Sequence, residues 1–242
     1  MLDDNASSTS CKAKLTIDGS TQELTSVTYS ESATPYLDAI TPRFGSEKGG
    51  ESVVFTGAGF SGNPSVLIDD RECTVTAYTS TSITCTTADK PSDLISEEHP
   101  SLEIDIDGVG KVATRGLKYM YVARWSDTDT WGGDFLPGEG DAVEIPKGRA
   151  LLVDVDSTPV LSFLTVLGSL IFAPETDKTH HRTFDAQYII VNGGYLEIGT
   201  EEFPYDSRLT ITMHGDEFTP ALPIYGNKVI AVRYGRLEMH GP

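Results

Sequence analysis

Acidic side chains at alternate positions are the first candidates for chemistry in this 242-residue chain. Glu103, Asp105 and Asp107 occupy every second position of an otherwise aliphatic segment, so a β-strand there would point all three the same way. Carboxylates on one strand face can bind calcium, which takes about six to eight oxygen ligands. An outward acidic face is more often only hydrated, and Asp154 and Asp156, which precede a Ser-Thr-Pro turn, fit the same interpretation. We predict no metal site at either place.

Histidines are the next candidates, and His180 and His181 are the best nominal metal ligands. His180 and His181 are adjacent, and adjacent side chains diverge in an extended chain. No third ligand lies nearby at a zinc-like spacing, so we place both histidines in a hydrated loop. His214 and His240 each precede a glycine, and we predict that they occupy equivalent positions of two structural repeats. No metal or other cofactor is predicted.

Two glutamates could form an acid and base pair. Glu197 and Glu238 follow leucines at matching points of a recurring pattern, and we expect both to point outward in one column, with one repeat between them. Enzymes that cleave polysaccharides place two carboxyl groups beside the glycosidic bond. Plain alternation of core and surface residues also explains the pair, and we adopt that interpretation. The sequence has no Gly-x-Ser-x-Gly, phosphate-loop or His-Glu-x-x-His motif. We predict no catalytic residue and no enzyme.

The elements that must position these residues follow a pattern that recurs four times after residue 140. Each copy has two alternating aliphatic residues, a link of one or two residues, a glycine, and two alternating apolar residues. The copies cover residues 143–152, 164–172, 189–198 and 230–239, and a related segment without the glycine covers 209–213. In chain order, their first aliphatic residues lie 21, 25, 20 and 21 positions apart.

This period predicts an all-β fold in which each repeat is one turn of a right-handed parallel β-helix. Alternating apolar residues indicate strands, and each turn buries its apolar face against its neighbours. The glycine marks a bend where a side chain would obstruct the next layer. We interpret the polar residues 175–183, in the longest gap, as an inserted loop.

Residues 36–122 show a different organisation, with many short strand patterns separated by turn residues. This spacing predicts an antiparallel sandwich of immunoglobulin type. Cys73 and Cys85 lie twelve positions apart beside strand-like segments, which suits a disulfide across a hairpin. Two buried free thiols are the alternative, and we favour the disulfide because the chain looks secreted. We expect Cys11 to pair with a residue upstream of this chain.

Residues 1–35 are rich in serine and threonine and are too short for a domain. We interpret them as the C-terminal remnant of a preceding module or as a flexible lead. Asn5 begins an Asn-Ala-Ser sequon and is the one predicted glycosylation site, with an unmodified terminus as the alternative. Because Met1 precedes a segment that looks like the middle of a protein, we expect the chain to be a piece of a longer one.

The charge of the chain excludes one class of partner. Its 18 basic and 36 acidic residues give a formal net charge of −18 at pH 7. Such a chain repels the phosphate backbone, so we predict no nucleic-acid partner. Cationic partners, calcium ions or simple solubility fit better. No apolar run reaches membrane-spanning length, so a membrane anchor would lie outside this chain.

Aromatic side chains gather at the junction of the two predicted domains. Trp125 and Trp131 lie there with Tyr119 and Tyr121. Stacking on sugar rings is one use of such a group. We favour a structural use, in which these side chains seal the contact between the domains and hold a fairly rigid joint.

Proline, glycine and cysteine residues recur together in the first predicted domain. The relevant segments are Thr41-Pro42-Arg43-Phe44-Gly45, Gly49-Gly50, Val54-x-x-Gly57-x-Gly59-Phe60 and the pair Cys73 and Cys85. In this order they resemble an IPT/TIG domain, the immunoglobulin-like module of plexins, certain receptors and some transcription factors. The resemblance covers residues 36–122, and the acidic charge favours its extracellular members.

The second predicted domain carries a more specific set of motifs. They are Trp125-Ser126, Thr130-Trp131-Gly132-Gly133, Pro137-Gly138-Glu139-Gly140-Asp141, Ile145-Pro146-x-Gly148, Leu170-Ile171-Phe172, Leu196-Glu197-Ile198-Gly199-Thr200-Glu201, Ile211-Thr212-Met213-His214-Gly215, Leu222-Pro223-Ile224-Tyr225-Gly226-Asn227-Lys228 and Leu237-Glu238-Met239-His240-Gly241. Together they make residues 123–242 similar to the eight-glycine domain, which occurs in the fibrocystins and in two proteins linked to hyaluronan breakdown. An IPT/TIG domain followed directly by this domain resembles the fibrocystin arrangement.

The resemblance implies a function as well as a fold. Fibrocystins are very large single-pass membrane proteins with long ectodomains, found at cilia, stereocilia or other cell surfaces. The implied role is an extracellular structural and binding segment, with matrix, glycan or protein ligands and possible self-association. The alternative is a non-catalytic part of a hyaluronan-binding or hyaluronan-degrading surface enzyme.

Overall fold

The computed structural model describes residues 8–18, 20–30, 34–90, 101–173 and 178–242. Within these residues the chain is built from 21 β-strands and one 3-10 helix, at Thr128–Trp131. None of the described helical segments has the length and apolar character needed to cross a membrane. The described residues form two compact units, the first up to residue 90 and over 101–119, the second over 120–173 and 178–242. The predicted all-β class is confirmed.

The first unit begins with an antiparallel hairpin. Strand β1 (Ser8–Ile17) pairs with β2 (Ser20–Ser30), with a register shift between Cys11 and Ala13. Asp18 lies in the turn with a positive φ of 50°. The described part of the segment interpreted as a module remnant or flexible lead therefore forms a hairpin.

The rest of the first unit is an antiparallel sheet of seven strands. Its strands and the short β4 are β3 (Tyr36–Thr41), β4 (Phe44–Ser46), β5 (Ser52–Ala58), β6 (Pro64–Ile68), β7 (Arg71–Tyr78), β8 (Ser82–Thr86), β9 (Leu102–Ile106) and β10 (Gly110–Lys111). The order within the sheet is β10-β9-β6-β7-β8-β5-β3. Strand β7 serves two partners, because its first half pairs with β6 and its second half with β8. Its double pairing joins the two layers of an immunoglobulin-like fold.

Alternating buried residues fill the interior of this unit. Phe55, Ile83 and Ile106 are fully buried, each with more exposed neighbours on its strand. Cys73 and Cys85 lie among them, both 1% exposed or less, and their sulfurs are bonded at 1.98 Å. The 5.5 Å between their Cα atoms is the ordinary separation for a disulfide.

The second unit contains the remaining strands. They are β11 (Met120–Arg124), β12 (Ala142–Ile145), β13 (Ala150–Val153), β14 (Phe163–Val166), β15 (Ser169–Phe172), β16 (His181–Ala186), β17 (Tyr188–Asn192), β18 (Tyr195–Ile198), β19 (Arg208–Met213), β20 (Val229–Arg233) and β21 (Arg236–Met239). Every pairing among them is parallel.

These strands form three parallel sheets that the chain visits in turn. The first sheet has the order β12-β14-β17-β20, the second contains β11-β13-β15-β18-β21, and the third pairs β16 with β19. Equivalent apolar residues are register partners, such as Leu164 with Ile189 and Leu170 with Leu196. Each repeat therefore lays its strands beside those of the repeat before it.

Two details of the predicted repeat are wrong. The segment 209–213 was counted as a repeat of its own, but β19 pairs with β16 in the third sheet, and the repeat after β17 is β20. Residues 181–183 of the predicted inserted loop form the start of β16. Alternating apolar residues show that a strand exists, but they do not distinguish one buried sheet from another.

The glycines of the repeat have the role that the sequence predicts. A Cβ built on Gly168, Gly194 or Gly235 would lie 2.2 to 2.5 Å from main-chain oxygens of the preceding repeat. Real Cβ atoms essentially never approach so closely. Glycine at this bend therefore lets each repeat stack directly on the one before.

One apolar cluster fills the space between the three sheets. It includes Val143, Leu164, Ile189, Leu196 and Phe184, each 6% exposed or less. The cluster takes alternate residues from the strands up to β19, so the residues between them point to the outer side of their sheet. These outer sides carry the candidate functional residues.

Candidate functional site

The acidic residues of β9 and the turn after it do not converge. Glu103 and Asp105 lie on the exposed side of β9, and Asp107 lies in the turn that follows. Glu103 Oε2 forms an ion pair with Lys111 Nζ at 2.8 Å. Within the described ranges no three His, Cys, Asp or Glu side chains are grouped to hold a metal ion.

The second acidic pair, Asp154 and Asp156, makes two separate contacts within the second unit. Asp154 accepts hydrogen bonds from the backbone N–H of Ser126 at 2.9 Å and from its hydroxyl at 2.7 Å. Asp156 lies 3.3 Å from His180 Nε2. The two carboxylates thus serve different elements of the second unit.

The histidines occupy other positions than the sequence predicts. His181 is the first residue of β16 rather than part of a hydrated loop, and its Nε2 lies 2.8 Å from Thr210 Oγ1. His214 follows a strand of the third sheet, whereas His240 follows a strand of the second. Their predicted equivalence is therefore wrong, because it depended on counting β19 as a complete repeat.

Glu197 and Glu238 are closer and less exposed than expected. They are register partners on β18 and β21, with no repeat between them. Glu197 is 2% exposed, and the side chain of Glu238 is 12% exposed. The interval between them contains β19, which lies in the third sheet and so does not separate them. The outward direction was predicted correctly, but the free exposure was not.

Neighbouring side chains contact both carboxylate oxygens of Glu238. Tyr195 donates its hydroxyl to Glu238 Oε2 at 2.8 Å, and Arg236 Nη2 lies 2.7 Å from the same oxygen. His240 Nε2 lies 3.4 Å from Glu238 Oε1. Burial raises the pKa of the Tyr195 hydroxyl well above its ordinary value, and the hydrogen bond to Glu238 and the charge of Glu197 raise it further. The Tyr195–Glu238 hydrogen bond joins β18 to β21, whereas Arg236 and His240 contact Glu238 from its own strand and the residue after it.

A buried arginine at the third sheet was not recognised in the sequence. Arg182 points to the interior and is 1% exposed. Its Nε donates to the carbonyl of Val155 and its Nη1 to the carbonyl of Ala173, both at 2.7 Å, and Tyr205 Oη lies 3.3 Å away. Arg182 lies within the polar residues 175–183, which indicate a loop. No local signal in the sequence therefore shows that its side chain is buried.

A buried aspartate in the first unit was also missed. Asp69 is 4% exposed, and its Oδ1 accepts a hydrogen bond from the backbone N–H of Ser101 at 2.9 Å. Burial raises the pKa of the Asp69 carboxyl, although this hydrogen bond and the charge of Lys90 act in the opposite direction. Asp69 and Asp70 both adopt positive φ in the turn between β6 and β7. The sequence shows the Asp-Asp pair as turn residues, but not that one of them is buried.

Both tryptophans of the chain belong to the core of the second unit. Trp125 is 1% exposed and packs edge to face on Trp131 at 5.0 Å and on Phe184 at 5.7 Å between ring centroids. Trp131 Nε1 donates to the carbonyl of Trp125 at 2.9 Å. Tyr119 and Tyr121 are buried. That these aromatic side chains seal the contact between the domains stays a prediction.

The pairing of Cys11 with a residue upstream of the chain also stays a prediction. Asn5, the predicted glycosylation site, lies outside the described residues.

The third sheet presents a polar surface, which we call the third-sheet face. It consists of the outward side chains of β16 and β19 and the histidine that follows β19, namely His181, Thr183, Asp185, Arg208, Thr210, Thr212 and His214. Residues of these strands that alternate with them, such as Phe184 and Ile211, pack in the interior cluster. Each of the seven is exposed or partly exposed.

Strand register arranges this face in rows across the sheet. His181 lies beside Arg208, and Thr183 beside Thr210. Ser157 bridges to Thr183 in the preceding repeat, so one row carries three hydroxyl groups. Neighbouring strands lie about 4.8 Å apart, so the row is a regular ladder of hydrogen-bonding groups.

The charged side chains of the face differ in whether they have a partner. Its one carboxylate, Asp185, lies 2.7 Å from His214 Nε2. Arg208 is exposed and makes no ion pair with any residue that the structure describes. The face therefore offers hydroxyls, imidazoles and an available guanidinium, in a chain whose formal net charge is −18.

Comparison with known proteins identifies both parts of the chain. A model of the G8 (eight-glycine) domain matches residues 130–242, and a model of the IPT/TIG domain matches residues 35–118. These matches confirm the two resemblances seen in the sequence, in the same order along the chain.

Three relatives illustrate the extent of the similarity. Human fibrocystin-L is 37% identical over 224 residues, which cover 91% of this chain and 5% of that protein. Fibrocystin of the dog is 30% identical over 178 residues, covering 73% of this chain and 4% of that protein. Human cell migration-inducing and hyaluronan-binding protein is 32% identical over 102 residues, covering 41% of this chain and 7% of that protein. The chain thus spans about a twentieth of the length of the fibrocystins that it matches.

Proposed function

Because the chain belongs to the fibrocystin family, as a segment with an IPT/TIG domain followed by a G8 domain, we propose that it is an extracellular structural and binding segment of a large cell-surface protein. The order of the two domains is the observation that carries this proposal. We propose that this segment lies on the extracellular side of the plasma membrane, at a ciliary or stereociliary surface in cells that have one.

The architecture we propose for the G8 domain is a right-handed parallel β-helix. Three parallel sheets visited in a fixed order, stacked glycines and one interior cluster support this winding. A solenoid of this kind is stiff along its axis and repeats its outer side chains at the strand spacing. Such a segment acts by presenting its faces, and the loops between strands, to a ligand.

Two further features fit an extracellular setting. The Cys73–Cys85 disulfide joins two strands of the first unit, and disulfides persist in oxidising compartments. The net charge of −18 favours solubility and acts against binding to nucleic acid. We therefore propose matrix, glycan or protein ligands, or neighbouring copies, as the partners.

The proposed action involves no catalysis. In the glutamate pair with the best geometry for acid and base chemistry, Glu197 is buried, and the partly buried Glu238 is bonded to Tyr195 and Arg236. A glycosidase needs both carboxyl groups open to the sugar between them. These residues serve instead to hold adjacent repeats together.

Surface labelling of intact cells tests the proposed location. An antibody raised against this chain would be applied to cells that express the parent protein, with and without permeabilisation. We expect strong staining of intact cells that permeabilisation does not greatly increase. Staining that appears only after permeabilisation would contradict the extracellular assignment.

The alternative is a part of a surface protein that binds or degrades hyaluronan. It is favoured by the similarity of 102 residues to a protein named for hyaluronan binding. Incubation of the chain with high-molecular-weight hyaluronan, followed by size measurement of the polymer, tests whether the chain itself degrades the polymer. We expect no change in polymer size, and depolymerisation would overturn the non-catalytic assignment.

A further inference from the structure

The loop between β19 and β20 is exposed and rich in apolar residues, and we call its residues 216–226 the apolar loop. From Phe218 to Tyr225 every residue except Thr219 is apolar or aromatic. Phe218 is 83% exposed and Ile224 is 95% exposed, and each residue between them is exposed or partly exposed. Single exposed apolar side chains are common on soluble proteins, whereas a contiguous exposed run marks a surface for a partner or a membrane.

Hydrogen bonds hold the first half of the apolar loop in place. Asp216 Oδ1 accepts from the backbone N–H of Phe218 at 2.9 Å, and Thr219 Oγ1 accepts from the backbone N–H of Asp216 at 2.8 Å. Tyr188, on β17, donates its hydroxyl to the carbonyl of Pro220. The loop is thus tied to the first parallel sheet.

A tight turn presents Ile224 at the tip of the second half. Leu222 and Gly226 each donate their backbone N–H to the carbonyl of the other, at 2.7 and 2.9 Å. Ile224, between them, has a positive φ of 75°, which is rare for a β-branched residue. The side-chain amide of Asn227 donates to the carbonyl of Thr219 at 3.3 Å and so joins the two halves. The loop therefore presents both exposed side chains in advance of binding, which lowers the entropic cost of binding.

The backbone of the apolar loop suits a medium that offers no hydrogen bonds. Four of its N–H groups are bonded within the loop, namely those of Phe218, Thr219, Leu222 and Gly226. Two further residues, Pro220 and Pro223, have no N–H. A lipid bilayer favours such a segment, because backbone groups that enter it find no partner there. A protein partner would add hydrogen bonds to the loop, and the internal pairing leaves fewer donors for it.

The charge of the chain selects the kind of bilayer. Its formal net charge is −18, and Asp216 and Glu217 directly precede Phe218. Anionic lipids, which are concentrated in the cytoplasmic leaflet, would repel this charge. A leaflet of zwitterionic lipids has no net charge and leaves the apolar attraction unopposed.

We propose that the apolar loop inserts Phe218 and Ile224 into the interfacial region of a zwitterionic lipid bilayer. Asp216 and Glu217 stay at the level of the lipid headgroups, where water solvates their carboxylates. Burial of two large apolar side chains gives a weak and reversible attachment, which holds this segment against the cell surface. This inference rests on the proposed extracellular location, because that location determines which leaflet the loop can meet.

Binding of the intact chain to lipid vesicles tests this inference. The chain would be sedimented with vesicles of pure phosphatidylcholine, and separately with vesicles that also contain phosphatidylserine. We expect binding to the phosphatidylcholine vesicles and weaker binding when phosphatidylserine is present. Phe218→Ser and Ile224→Ser should each weaken binding about tenfold or more, as expected when one large apolar side chain is no longer buried.

A matched variant separates the apolar loop from apolar surface in general. Phe135→Ser removes a phenylalanine that is 82% exposed from a different loop, and it should leave vesicle binding unchanged. Circular dichroism checks that each variant is folded, and sedimentation velocity without lipid measures self-association.

Three results would overturn the inference: no binding to phosphatidylcholine vesicles, tighter binding when phosphatidylserine is present, or an equal loss in all three variants. Self-association that Phe218→Ser abolishes would also overturn it, because a second copy of the chain would then cover the loop. Surface labelling of intact cells is an independent readout, so failure here does not imply failure of the proposed location.

Discussion

The outer sides of the second and third parallel sheets differ, although the same repeats build both. On the second sheet, Leu152, Ile171 and Glu197 are register partners in one row and are 4%, 0% and 2% exposed. On the third sheet, the corresponding positions are polar and open, as at Thr210 and Arg208. Ile171 lies outside the interior cluster and is nevertheless fully buried.

This difference separates the surface that contributes to stability from the surface that is open to a ligand. Alternation in a strand specifies which residues point outward, but outward residues of the second sheet are covered and contribute to stability. Only the open side can meet a ligand without rearrangement. The composition of each side follows this division, because the covered row is mainly aliphatic and the open rows contain hydroxyl, imidazole and guanidinium groups.

The strongest expected contrast comes from one acidic substitution on each side. Ile171→Asp would place a charge at a fully buried position and should lower the free energy of unfolding of the second unit by about 4 kcal/mol or more. Thr210→Asp, at an exposed position, should change it by less than about 0.5 kcal/mol. Urea unfolding followed by tryptophan fluorescence measures both, because Trp125 and Trp131 lie in that unit. Equal effects would show that the two sides are equally covered.

A second contrast compares the two arginines of the third sheet. Arg182→Gln removes donors from two carbonyls and should destabilise the second unit by about 3 kcal/mol. Arg208→Gln alters an outward side chain and should change stability by less than about 0.5 kcal/mol. The same fluorescence assay applies. Tolerance of the Arg182 change would mean that the buried contacts contribute little.

A buried and an exposed acid provide a smaller, pH-dependent contrast in the first unit. The pKa of Asp69 is raised in the folded state, so its protonation favours folding, and stability falls as the pH rises through that raised value. Asp69→Asn should therefore be more stabilising at pH 7 than near pH 3, where the aspartate is mostly protonated in both states. Asp105→Asn, on the exposed side of β9, is the control. Circular dichroism during thermal unfolding at several pH values would detect the difference, and parallel behaviour of the two variants would contradict it.

The smallest effect is expected from the hydroxyl row itself. Thr183→Val keeps the shape of the side chain and removes one hydroxyl from a partly exposed position. We expect a change in the free energy of unfolding of less than about 0.5 kcal/mol. Thermal unfolding is a sufficient measurement, and a loss as large as that of a buried residue would show that the row is structural.

The sequence alone was sufficient to predict most strands of the second unit. It was not sufficient to predict which of their polar side chains are buried. The glycine bends and the alternating residues around Leu164 and Ile189 are local patterns, and they specify strands and stacking. The placement of β19 beside β16 depends on a loop path that no local pattern records. Burial of Glu197 and Arg182 depends on segments distant in the chain, so a polar residue type suggested exposure.

Chemical labelling gives the most direct test of the open third-sheet face. Thr210→Cys and Ile171→Cys would be treated separately with a water-soluble maleimide under native conditions, against the background of the unmodified chain. We expect rapid modification of the cysteine at position 210 and protection at position 171 until the protein is unfolded. Protection at position 210, or equally rapid modification at both positions, would contradict the division into an open and a covered side.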